Sequence, residues 1–357
     1  MKKFDYWFFG PIFLLLAIGF LTLISLSNAD GYVLKQSIIL ILCAIVFLFF
    51  SFIDYRLFKN SSYLLLILYG LAIAALILLF IFGTIKGGTK GWFALGGFNF
   101  QPVELVKMLL ILILAKYFSS RNIEIWQAKH IFISGAYMAL PMLLVALQPD
   151  LASALVLVAI WLGVVFASGI KLKQVLVILM IFVFLAGIGW NFFLHDYQKQ
   201  RLVSFINPTA DIRGSGYNLR QSLVAIGSGG LLGKGLSWGT QTQLKFLPAA
   251  KTDFIFASIG EEMGFLGLGL VFVCFGILFW RLFVYALGAQ NNFARLLIIG
   301  FFVKIMIETV TNIGMNLGVM PVAGLPLPFL SYGGSHMVID FMLLGMIWSI
   351  RKNSINI

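Results

Sequence analysis

Apolar and polar positions along the chain alternate with neither a strand period of two nor a helical period of 3.6. Instead, long unbroken apolar blocks are separated by short polar punctuation, at 8–26, 34–53, 63–83, 103–118, 131–148, 151–168, 174–194, 254–284, 293–315 and 329–350. Most are close to the roughly 20 residues that carry a helix across a bilayer. A spanning segment in lipid must satisfy its own backbone hydrogen bonds, which favours helices. The pattern therefore predicts an all-α integral membrane protein of about ten transmembrane helices, with residues 1–357 forming a single polytopic domain. Lys2 and Lys3 precede the first block as they would in a signal peptide, but the block is long enough to span and lacks a small-residue cleavage site, so it reads as a retained helix. One interruption is too long to be a simple connection: residues 195–253, between the seventh and eighth blocks. Within it, Gly clusters and Asn207-Pro208 mark turns, and 217–226 reads as a short amphipathic helix.

Composition agrees and excludes a water-soluble core. Hydrophobic residues make up 61% of the 357 and charged residues only 11%, and the mean hydropathy is +1.01. The net charge of +12 is read better as membrane topology and contact with anionic lipid than as nucleic-acid binding. An even number of spans puts both termini on one side. Lys2, Lys3, Arg56, Lys59, Lys116, Arg121, Lys129, Lys171, Lys173, Arg281, Arg295, Arg351 and Lys352 fall on that side, against Asp5, Asp54 and Glu124. That side is predicted to be cytoplasmic, and the 195–253 loop extracytoplasmic. Cys43 and Cys274 lie in apolar runs with no Cys or His nearby, as packing residues do.

Ionisable groups inside apolar blocks are costly and commonly mark function. Glu104 and Lys107 stand three residues apart, and Lys304 and Glu308 four apart, so each pair either neutralises itself on one helix face or serves a site. Asp340 has no sequence-local partner and needs a polar cavity or a basic group on another helix. At the outer boundary, Asp150 in Gln148-Pro149-Asp150 is a turn cap or a site carboxylate. Asp253 is an N-cap or a base, with Glu261 and Glu262 two turns further on. The glycines of 227–235 lack the phosphate-loop pattern of a nucleotide site and read as positions of close backbone approach or tight turns. Arg201, Arg213, Arg220, Lys234, Lys245 and Lys251 share the long loop with Asp253. Cations can hold a phosphate-bearing head group and a carboxylate can take a proton from a hydroxyl, which points to a lipid-phosphate site at the outer face.

GTKGWFALGGFNFQPVELVK (88–107), QPDLASA (148–154), HDYQKQRL (195–202), AIGSGGLLGKG (225–235), GTQTQLKFLPAAKTDFIFASIGEEMGF (239–265) and PVAGLPLPFLSYGGS (321–335) together resemble the SEDS family of bacterial shape, elongation, division and sporulation proteins, in order and over nearly the whole chain. HDYQKQR and GTQTQLKFLP resemble the elongation branch rather than the division branch. The resemblance implies a peptidoglycan glycosyltransferase of the cytoplasmic membrane that polymerises lipid II on the outer side beside a class B penicillin-binding protein, within the elongation machinery. It places the family's essential aspartate on Asp253 as general base, with undecaprenyl pyrophosphate leaving. Lys107, Arg201, Lys245 and Arg213 are then candidate substrate-binding cations, and Glu104 and Asp150 candidate substrate-binding carboxylates, Glu104 by positioning Lys107 or supporting the cavity. A divalent cation, Mg or Mn, could assist at the pyrophosphate, although no ligand cluster identifies its site. A lipid II flippase is the competing reading, with the buried charges lining a path, and a noncatalytic scaffold is a third. The sequence departs from the family pattern at Val103, at Ala249 and Lys251, where Glu and His are usual, and at His336, where a small residue is common.

Overall fold

The computed structural model describes residues 5–27, 31–86, 88–96, 98–119, 128–171, 196–206 and 214–353, with a few isolated positions between 172 and 195. Its helices are α1 (Tyr6–Leu26), α2 (Tyr32–Phe52), the short α3 (Arg56–Asn60), α4 (Ser62–Phe82), α5 (Pro102–Ser119), α6 (Ala128–Leu147), α7 (Leu151–Ala167), α8 (Asp196–Ile206), α9 (Ser215–Ser228), the short α10 (Thr240–Gln243), α11 (Ile255–Leu287), α12 (Asn292–Asn316) and α13 (Ser335–Asn353). Nine of the ten apolar blocks coincide with a helix; the seventh, 174–194, lies largely outside the described residues. The amphipathic stretch expected at 217–226 is the centre of α9.

Among the described residues, six helices are long and apolar enough to cross a membrane. The α5 and α13 helices carry charges within their length, and α7 is short at 17 residues. The charged helices are nevertheless the most enclosed. From Val106 to Ala115 every residue of α5 is buried, whereas α2 turns Ile41, Ile45, Leu48, Phe49 and Phe52 outward, as a lipid-facing helix does.

Two features depart from the expected pattern. Between α4 and α5 the chain forms a small antiparallel meander, β1 (Thr84–Lys86), β2 (Thr89–Leu95) and β3 (Phe98–Phe100), with Thr84 opposite Trp92 and Ala94 opposite Asn99. Its sequence signal was the pair of Gly-Gly steps flanking Thr89–Leu95, where Gly88 and Gly96 take positive φ. The last block also begins six residues before its helix. Phe329 adopts φ +64 and Gly333-Gly334 follows, so α13 starts only at Ser335, whose hydroxyl donates to the Asn99 carbonyl and accepts from the Gln101 N–H, both at 3.0 Å.

The two ends of the described chain meet at one face. Asp5 caps α1 by accepting from Trp7 and Phe8 N–H, and the same carboxylate bonds Arg281, Tyr285 at 2.6 Å and Arg351 at 3.1 Å. Burial raises the Asp5 carboxyl, but those hydrogen bonds and charges outweigh it and hold the group below the ordinary aspartate range.

At the opposite face α11 is broken. Gly264 takes φ +66 and ψ −165 inside the helix, which leaves backbone groups unpaired at the break. The 229–235 loop supplies their partners. Phe265 and Leu266 N–H donate to the Gly230 and Leu231 carbonyls at 2.9 and 3.1 Å, while the Glu261 and Glu262 carbonyls accept from Lys234 and Gly235 N–H at 2.9 and 3.0 Å. The loop can come this close only because glycine stands at its contact points: a Cβ on Gly229 or Gly233 would collide with the Gly260 or Glu262 carbonyl. Beyond the break, Phe265 to Leu287 runs roughly 34 Å at ~1.5 Å per residue, enough for the ~30 Å hydrocarbon layer.

Gly264→Ala is expected to destabilise the protein by at least about 1–3 kcal/mol, because an L side chain is strained at that backbone conformation and its Cβ would strike the Gly233 N–H and Leu231 carbonyl. Thermal melting in detergent measures this; an unchanged midpoint would refute the docking of loop on break.

Candidate functional site

Asp253 closes the long loop immediately before α11, and its carbonyl is held by two side chains of α12. Asn312 and Asn316 on α12 both donate to the Asp253 carbonyl at 3.0 Å. Each asparagine is itself fixed: Asn312 also donates to the Leu325 carbonyl at 2.7 Å, and Asn316 accepts from Ala257 N–H at 3.1 Å. The 325–332 segment clamps the preceding residues, with Ser331 Oγ donating to the Thr252 carbonyl at 2.6 Å and Tyr332 N–H to the Lys251 carbonyl at 2.9 Å. Gly324 abuts the carboxylate, since a Cβ there would lie 3.7 Å from Oδ2.

The Asp253 side chain is partly enclosed. Burial pushes its carboxyl above the ordinary aspartate value, and a hydrogen bond with Thr252 and the charge of Arg201 pull it only part of the way back. Arg201, on α8, is thus brought into electrostatic reach of Asp253. Lys251 lays its ammonium over the Tyr32 ring at 4.1 Å, a cation–π contact that ties the loop to the start of α2. Lys245 stands exposed in the turn after α10 with φ +61. Arg213 lies outside the described residues.

The two acids on α11 belong to the loop. Glu261 accepts from Lys234 Nζ at 2.8 Å and from the Gln241 and Thr242 N–H groups at 2.9 and 3.0 Å, which organises the start of α10. Glu262 bonds Ser25 at the end of α1 and accepts from Ser237 N–H at 3.3 Å. Asp150 caps α7 by accepting from Ser153 N–H at 3.0 Å, and Gln101 reaches its other oxygen at 3.4 Å.

Glu104 and Lys107 are elsewhere, deep in the bundle. Lys107 donates to Glu104 at 2.7 Å and to Glu308 at 2.9 Å; Lys304 donates to Glu308 at 2.9 Å and to Asp340 at 2.6 Å. All five are at most 2% exposed. Both sequence-local pairs exist, and Asp340 finds its basic partner on another helix. Among the described residues no group of three or more His, Cys, Asp or Glu is arranged to hold a metal ion.

Sequence reasoning missed Asn312 and Asn316, although the signal was present. Lys304, Glu308, Asn312 and Asn316 recur every four residues, so they stack on one face of α12 and run from the buried cluster to Asp253.

A model of the cell cycle protein family that includes FtsW, RodA and SpoVE matches residues 5–356. The Escherichia coli K12 peptidoglycan glycosyltransferase MrdB is 38% identical over 286 residues, covering 80% of this chain and 77% of that protein. A solved peptidoglycan synthase complex, described as coordinating polymerization and crosslinking, contains a chain that superposes with TM-score 0.85 at 29% identity over 100% of both chains. The Thermus thermophilus rod shape determining protein RodA superposes with TM-score 0.74 at 28% identity over 99% of both.

Asn312→Ala and Asn316→Ala are each expected to cost about 1–3 kcal/mol through lost buried hydrogen bonds, and to raise amide hydrogen exchange across 251–254 while α5 stays protected. Unchanged exchange over 251–254 would show that the asparagines do not anchor Asp253.

Proposed function

This chain belongs to the FtsW, RodA and SpoVE family of cell cycle proteins, and from that premise we propose that it is a peptidoglycan glycosyltransferase that polymerises lipid II during cell elongation. The carrying observation is Asp253: a carboxyl raised by burial, with its backbone clamped by Asn312 and Asn316 and with Arg201 in electrostatic reach. A general base needs fixed geometry and an affinity for protons closer to the working pH than an ordinary aspartate has.

In the proposed step Asp253 takes the proton from the GlcNAc 4-hydroxyl of the acceptor. The freed oxygen attacks MurNAc C1 of the donor from the face opposite the leaving group, and the C1–O bond breaks with its electron pair passing to undecaprenyl pyrophosphate. Arg201 and Lys245 are the cations suited to the charge that develops there. Lys107 is occupied within the buried cluster, so its contribution is to hold the helices beneath the site together. Asp150 and Glu104 likewise act through structure, one as a cap and the other as Lys107's partner.

Elongation rather than division is favoured by HDYQKQR and GTQTQLKFLP, and by the likeness to MrdB and to the rod shape protein. The synthase complex whose chain this one resembles supports a transpeptidase partner of the class B penicillin-binding type. The charge distribution supports a multi-pass protein of the cytoplasmic membrane with both termini inside and Asp253 outside. Flippase activity loses its motive, because the five intramembrane charges pair with one another instead of lining a path.

Purified protein, with its transpeptidase partner, should extend labelled lipid II into glycan. Asp253→Asn should lower the rate by about 10²–10⁴-fold, the usual range for a general acid or base. The native rate should fall as pH drops, with its acidic limb above the ordinary aspartate value, because the base must be unprotonated. The folded carboxyl is raised, so its stabilising contribution is lost as pH rises through that raised value; Asp253→Asn should therefore melt no lower than the native protein at neutral pH. Retained polymerisation by a folded Asp253→Asn protein would sink the assignment.

A further inference from the structure

The buried cluster contains three carboxylates, Glu104, Glu308 and Asp340, against two ammonium groups, Lys107 and Lys304. With all acids ionised it would hold one uncompensated negative charge in the middle of the bundle, where an unpaired charge is far costlier than in water. The contacts indicate which acid is least compensated. Glu308 receives Lys107 on one oxygen and Lys304 on the other, both at 2.9 Å. Glu104 meets Lys107 at 2.7 Å, and its second oxygen, also without a hydrogen-bond partner among the described residues, still has the Lys304 ammonium 3.7 Å away. Asp340 has a lysine on Oδ1 alone, and its Oδ2 is buried without a hydrogen-bond partner among the described residues.

We propose that Asp340 is a buried proton-binding site, carrying one proton on Oδ2 at neutral pH and so bringing the five-residue cluster to zero net charge.

The groups around Asp340 leave no better carrier. The α13 helix packs against α2, α5 and α12. Facing the site are Cys43 from α2, Glu104 and Lys107 from α5, Lys304 and Glu308 from α12, and His336 from one turn earlier on α13. Cys43 is a buried free thiol that could add only negative charge. His336 is the alternative carrier, but an imidazolium needs acceptors for two N–H groups, and its buried Nε2 has none among the described residues. The ring is also pinned: a Cβ on Gly333 would lie only 2.7 Å from its Nδ1.

The test is independent of the catalytic proposal. Full-length protein labelled with ¹³C at the aspartate side-chain carboxyl carbons, in an Asp253→Asn background so that the raised Asp253 carboxyl does not overlap, is examined by NMR at neutral pH. One neutral carboxyl resonance is expected, and it should disappear when Asp340→Asn is added. Asp340→Asn matches the shape of the protonated acid and should melt within a few degrees of its parent, whereas Lys304→Met leaves the ionised Glu104 and Glu308 with a single ammonium and Asp340 without its lysine, and should melt far lower. If every aspartate is ionised in the parent spectrum, or ¹⁵N-histidine spectra show an imidazolium at His336, the proposal is wrong even if Asp340→Asn fails to fold. An Asp340→Asn protein as unstable as Lys304→Met would also overturn it.

Discussion

The constraint on which the structure depends is a single polar stripe on α12. Lys304, Glu308, Asn312 and Asn316 stand one turn apart, all buried. In a bundle bathed by lipid, apolar contact between helices gains little over contact with acyl chains, so close association needs packing and interhelical bonds. The lower half of the stripe provides these to α5 and α13 through Lys107, Glu104 and Asp340. The upper half supplies side-chain amides to the carbonyl of Asp253. One helix face therefore both assembles the middle of the bundle and sets the height and orientation of the candidate base.

The same economy governs the long loop. Among its described residues Leu219 and Leu247 are buried, the latter with Ala225 against Phe254 and Ala257, while much of the apolar surface, including Leu231, Leu232 and Trp238, is exposed. Its order comes instead from backbone groups freed at the Gly264 break and from Glu261 and Glu262, whose carboxylates gather donors from 234–243 and reach Ser25. Substituting larger residues for the loop glycines would push its backbone off those partners, so the glycine content reflects contact distance as well as flexibility.

What could be read from the sequence divides along lines of range. Helices announced themselves because lipid imposes length and apolarity on each segment independently. Glu104–Lys107 and Lys304–Glu308 were visible as pairs because helix geometry fixes residues three and four apart. Their merging into one cluster was not, since Lys107 meets Glu308 across 201 positions of chain and no local pattern encodes that register. The Asp253 carboxylate was found through its place after the loop, whereas Asn312 and Asn316 passed unnoticed because neutral amides in an apolar block do not signal cost as charges do. The late start of α13 was hidden for a different reason. Phe329, Leu330 and Tyr332 have the composition of a span, and only the left-handed backbone at Phe329 and the following glycines turn them into the clamp on Lys251 and Thr252.

Asp253 and Asp340 sit at opposite ends of this architecture and place opposite demands on a carboxyl group. Burial favours the protonated acid at Asp253, while at Asp340 the charge count of the buried cluster asks for the proton. Asp253 is only partly enclosed, is reached by the charge of Arg201 and lies on a loop between clamps, which is the setting the proposed base requires. Asp340 is fully enclosed and bonded to a lysine that two other acids also share. A mobile proton there would reintroduce the uncompensated charge each time it left. With that acid protonated, α5, α12 and α13 pack as a neutral unit, and the same α12 face continues to the two asparagines that hold the carbonyl of the other.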